Sequence, residues 1–386
     1  MHTPTAADAL DRLVVAADHF RPSADDASIA GGHGLGLLMC EALWRGTADS
    51  RWIQQADEHL TEGCKALNSG ISTSFFRSAP GFGWAACMWS RTSGAPEPSQ
   101  LGHQIGRLVL QALTKRPAIA FDVVHGLAGL TIFARGLDVD LRDELLDACW
   151  LALRDTGPSA HPVLWWVRGT ERADSGDLGL AHGACGVLAA LCAARLSGWG
   201  APGLDQVLQR GGHWLWELCR VRSERPTLPY SCDASDGPAR LAWCYGTASA
   251  AVAFLWLSRL LPEFGDPANQ CIRACANEAL SPDHGIVDAC LCHGHAGWAY
   301  LARRFEEQDP SSSGLLRSSS ERCAKHAIET LLRSSDGWRT PSLVGGQWRD
   351  MGSLLEGAPG VALALASLRN PAARTWEGAL LLDLPN

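Results

Sequence analysis

Two short runs, Trp243-Cys244-Tyr245-Gly246 and Cys292-His293-Gly294, set two thiols and an imidazole just ahead of two apolar helical segments. Cysteine and histidine are preferred ligands of zinc, and a set of three leaves the fourth tetrahedral position open to a substrate. A closed structural site would need a fourth protein ligand. Cys290 is a competing donor, but it precedes Cys292 by two residues and is expected to point away. Further groups with chemistry of their own stand at comparable points of the chain. His182, in Gly179-Leu180-Ala181-His182-Gly183, carries an imidazole suited to moving a proton near neutrality. Asp122 opens Asp122-Val123-Val124-His125-Gly126, and Arg240 lies four residues before Cys244. A carboxylate, an imidazole and a guanidinium around one zinc make an acid/base site with anion stabilisation. Each also has a plainer reading: a helix cap or core group for His182, an N-cap for Asp122, a surface charge for Arg240. Tyr245 either donates a hydrogen bond or packs. His33, His125, His213 and His295 read as structural, with His295 near enough to tune the site.

These residues must be positioned by a repeat. A small-residue pair, Gly-x-x-Gly or a close variant, recurs at 31–34, 78–81, 126–129, 183–186, 246–249, 294–297 and 357–360, each followed by an alanine- and leucine-rich run. The second members lie 47, 48, 57, 63, 48 and 63 residues apart, which is the signature of a repeat fold. Runs such as 187–196 and 250–261 are apolar nearly all round and should be buried on most sides. Between them, segments 52–67, 104–115, 140–154, 204–219, 270–280 and 321–333 carry apolar residues three and four apart, the pattern of a helix with one buried face. Six such outer helices separate seven inner ones, and the chain is expected to end after the seventh inner run, 361–368. Segment 6–20, with Leu10, Leu13, Val14 and Ala17 in register and Thr5 as N-cap, supplies the seventh outer helix beside the last inner one. The predicted fold is therefore all-α: an α/α toroid of seven inner and seven outer helices, residues 1–386 forming a single domain. Segments 162–168 and 343–348 are short strands or loops at a rim.

Four long irregular stretches, 155–179, 220–241, 281–291 and 334–353, all run from an outer helix into an inner one and so gather on one face. Cys244, Cys292 and His293 fall on that face, at helix N-termini whose partial positive charge favours thiolates and anionic intermediates. Adjacent repeats bring Cys244 and Cys292 side by side despite 48 residues of separation. Most of the sixteen tryptophans, including Trp84, Trp150, Trp216 and Trp256, lie within helical patterns; Trp165, Trp166, Trp338 and Trp348 fall in the rim loops and are the candidates for substrate contact.

Composition narrows the partners. With a net charge of -8 and no basic stripe, nucleic acid is excluded as a partner. No apolar run reaches the roughly 18 residues of a membrane span. Residues 1–8 lack the basic and apolar regions of a signal peptide, so the fourteen cysteines are expected to be reduced, in a cytoplasmic protein, serving packing or metal rather than disulfides. A monomer is the default expectation.

With these motifs in hand, the sequence resembles the lanthionine synthetase C-like family, the lanthipeptide cyclases, over essentially its whole length. The seven Gly-x-x-Gly repeats, Gly-x-x-His-Gly at 179–183, Trp-Cys-Tyr-Gly and Cys-His-Gly carry the resemblance; Ser78-Ala79-Pro80-Gly81 departs mildly from the Gly-led form. The resemblance implies an α/α toroid with one zinc ion (Zn2+) held by Cys244, Cys292 and His293. It also implies proton transfer by His182 and supporting roles for Asp122, Arg240 and Tyr245. The implied activity is addition of a peptide cysteine to dehydroalanine or dehydrobutyrine in a dehydrated precursor peptide, forming a thioether. Nothing in the chain resembles a dehydratase, so a separate dehydrating enzyme is implied as a partner. Two rival readings share the sequence: a zinc-dependent transferase adding a glutathione-type thiol to dehydroamino acids, and a non-catalytic scaffold in a peptide-modifying complex.

Overall fold

The computed structural model describes residues 6–67, 72–115, 119–155, 176–220, 225–232, 239–281, 284–332, 341–344 and 346–384. Among them fourteen α-helices alternate between two layers. In chain order, with odd labels outside and even labels inside, they are α1 (Ala6–His19), α2 (His33–Thr47), α3 (Arg51–Ala66), α4 (Ala79–Ser93), α5 (Glu97–Leu113), α6 (Leu127–Ala134) and α7 (Val139–Asp155). The second half continues with α8 (Ala184–Leu196), α9 (Leu204–Arg220), α10 (Thr247–Ser258), α11 (Gly265–Glu278), α12 (His295–Gln308), α13 (Ser313–Leu332) and α14 (Ala358–Arg369). This is the toroid of seven inner and seven outer helices. Helix α1 packs on both α14 and α2 and closes the ring. Thr5 lies outside the described residues.

Hydrophobic period separates the layers. Every residue of α6 is buried, as are the first eleven of α8, so these helices have no solvent face. In α9 the buried residues Leu204, Val207, Leu208, Gly211, Gly212, Leu215 and Cys219 form one stripe at helical spacing. Several outer helices begin earlier than their apolar pattern suggests: α5 at Glu97, α11 at Gly265 and α13 at Ser313. In α5 and α11 a proline sits in the first turn, where its missing N–H costs nothing, and polar neighbours hide the start from a periodicity test. Of the fourteen cysteines, all free, most are buried in these layers as small hydrophobes, while Cys64 is exposed.

The glycine pairs exist for close approach. A Cβ on Gly294 would lie 2.3 Å from Asp288 Oδ1, and one on Gly297 would lie 1.9 Å from the Leu291 carbonyl oxygen. Each inner helix thus starts by wrapping its own preceding turn. The first copy is shifted by one residue relative to the sequence pattern, since Gly32 rather than Gly31 caps α2. Gly246, capping α10, differs from the other caps in its φ of 85°, a conformation that favours glycine.

The chain does not finish with α14. A 3-10 segment, Pro371–Leu380, and the residues after it fill the base of the toroid. Trp376, Ala379, Leu380 and Leu381 are fully buried, and the indole N–H groups of Trp243 and Trp256 donate to the carbonyls of Leu380 (3.0 Å) and Leu381 (2.9 Å). Beneath them, Arg304 pairs with Glu377 at 3.1 Å and Tyr300 donates to the same carboxylate. At the rim, Pro341–Val344 and Gln347–Asp350 form an antiparallel hairpin with Leu343 opposite Trp348. Trp348 is exposed; Trp165, Trp166, Trp338 and segment 162–168 lie outside the described residues.

Candidate metal centre and acid/base cluster

The turn before each inner helix hydrogen-bonds to the turn of the next repeat, and the links close on themselves. They run Ala30 N–H to Phe76, Phe76 N–H to Val124, Val123 N–H to Ala181, Ala181 N–H to Cys244, Trp243 N–H to Cys292, Cys292 N–H to Leu355, and Leu354 N–H to Ala30, at 2.7–3.3 Å. Each turn is held by both neighbours, so the side chains it presents are fixed relative to all the others. The residue just before each cap is in turn Gly31, Arg77, His125, His182, Tyr245, His293 and Glu356. A cleft of about 480 Å³ opens on this face, lined among others by Asp26, Arg77, His125, His182, Cys292 and Glu356.

Cys244, Cys292 and His293 converge as the repeat equivalence predicts. All three are buried, and their ligand atoms lie within 4.8 Å of one another. The thiols and the imidazole share protons: a hydrogen bond from Cys292, helped by His293 and the Arg240 charge, holds the Cys244 thiol down at about 5 against its burial. Cys292, the donor in that pair and itself buried, is pushed well up. Burial opposes charge on His293, but the neighbouring Asp288 carboxylate and the sulfurs of Cys244 and Cys290 outweigh it and raise the ring to about 12. Soft sulfur and imidazole donors at this separation fit a tetrahedral divalent ion, whose ligand atoms stand about 3.3–3.8 Å apart.

Behind the imidazole lies a carboxylate that the motif reading missed. Asp288 Oδ2 is 3.4 Å from His293 Nε2, a buried nitrogen that has no hydrogen bond of its own among the described residues. Asp288 also accepts the backbone N–H of Cys290 (3.0 Å) and, from the rim hairpin, that of Leu343 (3.0 Å). These donors hold its carboxyl far below the usual range despite burial. A carboxylate behind a ligating histidine fixes the ring and raises its basicity. The signal was present in the repeat: Asp26, Asp177, Arg240 and Asp288 all stand six residues before their capping glycines. Cys290 is outside the three-donor set but forms with Asp288 and His293 an overlapping buried group whose donor atoms also lie within 4.8 Å of one another. Its sulfur accepts the His293 backbone N–H at 3.4 Å.

His182 and Asp122 meet across one repeat boundary, Nδ1 to Oδ2 at 3.3 Å. Burial lowers the basicity of His182, but the Asp122 hydrogen bond and charge more than restore it, so its pKa is raised. Asp122 is held low by His125 and His182 in spite of burial. Asp122 does cap its own turn, since its Oδ1 accepts the His125 backbone N–H, and the two readings of this residue are compatible. The ring of Tyr245 lies 6.4 Å from that of His182 and 5.3 Å from that of Tyr230, and burial together with the Asp177 charge pushes its hydroxyl pKa up. Arg240 is partly buried, its backbone N–H bonded to the Tyr230 hydroxyl at 3.2 Å and its Nε buried without a hydrogen-bond partner among the described residues.

Two histidines differ from expectation. His125 is not packed into the core: it stacks on His182 with ring centroids 5.3 Å apart and reaches the cleft. His295 faces away from the thiols, its ring 4.1 Å from that of His326 of α13 at a tilt of 49° and its Nδ1 3.4 Å from Cys323 Sγ. Its place as the first residue of α12, beyond the cap, turns it outward between the layers. His33 makes the equivalent outward contact with His59 of α3.

An α/α toroid whose mouth gathers two thiols and an imidazole beside an Asp–His pair defines a class, and the chain belongs to it: the family model of lanthionine synthetase C-like proteins matches residues 23–381. Among solved structures its fold is similar to that of nisin cyclase, with a TM-score of 0.75 and 17% identity over 97% of each chain. An inactive variant of an alpha-1,6-mannanase of Salegentibacter, bound to alpha-1,6-mannotetrose, aligns at a TM-score of 0.45 and 10% identity over 98% of this chain and 99% of that one. No curated protein matches the chain. No helix among the described residues is long and apolar enough to cross a membrane.

Proposed function

We propose that this chain, acting as one toroidal domain, is a zinc-dependent lanthipeptide cyclase that joins a peptide cysteine to a dehydroalanine or dehydrobutyrine of the same precursor. The observation that carries the reading is the three-donor cluster of Cys244, Cys292 and His293 at the same mouth as the Asp122–His182 pair. These three residues would hold the zinc, which when bound supplies a Lewis acid that keeps an incoming thiol ionised at neutral pH. Asp288 orients His293 from behind.

The remaining chemistry falls to the surrounding side chains. As sulfur bonds to the β-carbon, the β-carbon's π electrons move toward the α-carbon and its carbonyl, and negative charge builds on the carbonyl oxygen. Arg240, four residues before Cys244 and with a buried Nε that lacks a partner among the described residues, is the cation for that charge. His182, seated on Asp122, delivers the proton to the α-carbon. Tyr245, packed against Tyr230 and facing the His182 ring, walls the space between them. Addition is an isomerisation of the peptide, one thiol and one alkene becoming one thioether. The substrate must therefore arrive dehydrated, from a separate dehydratase acting as a transient partner; a cytoplasmic monomer suffices for the chemistry.

The test uses metal-loaded protein and a synthetic peptide carrying one cysteine and one dehydroalanine. Loss of the alkylatable thiol without change of mass is the expected product, and it should vanish with Cys292→Ala, which also loses the metal. Addition of glutathione in trans without ring formation would favour the transferase reading instead. Product formation untouched by His182→Asn would favour the scaffold.

A further inference from the structure

The acid/base cluster has the geometry of a second metal site. Asp122 Oδ2 lies 3.3 Å from His182 Nδ1 and 3.5 Å from His125 Nδ1. The three ligand atoms all fall within 4.8 Å of one another. A tetrahedral ion with bonds of about 2.0–2.1 Å to nitrogen and oxygen spaces its ligands about 3.3–3.4 Å apart, so the two measured edges already match. The carboxylate is oriented for ligation, because Oδ1 is engaged by the His125 backbone N–H and Oδ2 is thereby turned toward both rings. The rings are stacked at 17°, and both Nδ1 atoms face the same carboxylate oxygen. The cluster is reachable, with side-chain exposures of 41% for His125 and 34% for His182 on the wall of the cleft.

We infer that Asp122, His125 and His182 bind a second divalent first-row cation, with zinc as the representative ion, through two imidazoles and one carboxylate. Two nitrogens and an oxygen are borderline-hard donors, unlike the thiolate-rich set of Cys244, Cys292 and His293, so the two sites differ in affinity and spectrum. Binding displaces any proton from the two Nδ1 atoms and ties up His182. Given the proton-transfer role proposed above for His182, on which this consequence alone rests, the second ion is an inhibitor. His125 is then the residue that makes the mouth sensitive to excess metal.

The experiment titrates protein already holding one equivalent with zinc chloride, and in parallel with cobalt chloride. Wild type should take up a second equivalent; His125→Phe, which keeps a stacked ring, and His125→Gln should not. Cobalt in the second site should lack the intense near-ultraviolet sulfur-to-metal band of the first, and that band should disappear in Cys292→Ala while the second site persists. Thioether formation, scaled to each protein's own rate, should be inhibited by zinc beyond the first equivalent. Half-inhibition should need roughly tenfold more zinc in His125→Phe, since even a residue behind a ligand is worth 10–100-fold in metal affinity. Uptake stopping at one equivalent in wild type, or a second equivalent surviving in both His125 variants, overturns the site. A second equivalent that leaves turnover unchanged overturns its inhibitory role. Absence of any product at one equivalent is instead a failure of the cyclase reading, and the metal stoichiometry is read independently of it.

Discussion

The mouth and the base of the toroid both bury charged and polar side chains, yet they treat them differently. At the base, Arg304, 6% exposed, is matched to Glu377 and Glu307 and to the carbonyls of Leu382 and Leu384, while Arg135 holds Asp383 at 2.7 Å. At the mouth, His293 Nε2 and Arg240 Nε are buried without hydrogen bonds among the described residues, and two thiols share a proton. Buried polar groups ordinarily find partners. Thr375 Oγ1 and Asp383 Oδ1 at the base also lack one among the described residues, but the charges there are paired cation to carboxylate. At the mouth the unpartnered nitrogens stand beside two thiols and a potential metal donor set. The same toroid carries both because its two ends are built from opposite ends of the inner helices.

Three substitutions sharpen this contrast. The largest effect belongs to the mouth: His182→Asn should lower turnover by roughly 10²–10⁴-fold, the usual worth of a positioned general acid. The one equivalent held by Cys244, Cys292 and His293 should be unchanged, as checked by elemental analysis of protein loaded with a single equivalent; loss of that equivalent together with turnover would mean the two clusters are not separable. At the base, Arg304→Ala leaves Glu377 buried without its cation and should cost about 3–5 kcal/mol of stability. The midpoint of denaturant unfolding measures this, and a change near zero would break the distinction drawn above.

The smallest effect lies on the wall between the ends. Burial raises the Glu41 carboxyl to about 7, against a hydrogen bond from Thr92 and the charge of Arg45. The folded chain therefore holds this proton more tightly than the unfolded chain does. The resulting stabilisation is present in full below the unfolded value of 4.5 and is lost as pH rises through about 7. Relative to Glu41→Gln, the wild type should lose up to roughly 3 kcal/mol over that window. Parallel unfolding curves for the two proteins at every pH would contradict it.

What could be read from the sequence divides along the same line. The alternation of layers was legible because burial on all sides and burial on one side leave different hydrophobic periods, as α6 and α9 illustrate. The convergence of Cys244 with Cys292 was legible because equivalent points of neighbouring repeats must be neighbours in space. The terminal segment was not: Trp376 and Leu380 belong to no repeat, and a 3-10 run has neither period. Asp288 escaped notice because its work is done by a carboxylate aimed at backbone N–H groups, which no motif of side-chain types records. His125 escaped because a lone histidine before a helix has no partner in sequence; its stacking on His182 exists only once two repeats are side by side.

The hydrogen-bonded circuit of turns has a consequence for how such a molecule can change over time. An open solenoid can gain or lose a unit at little cost, because each unit touches only its neighbours and the ends stay free. A closed circuit of seven cannot. An eighth unit would shrink every angle between neighbours from about 51° to about 45° and strain all of the links at once. Novelty in this architecture must therefore enter by substitution at a fixed set of seven stations. The residue before each cap, where this chain places Gly31, Arg77, His125, His182, Tyr245, His293 and Glu356, is the alphabet in which it is written.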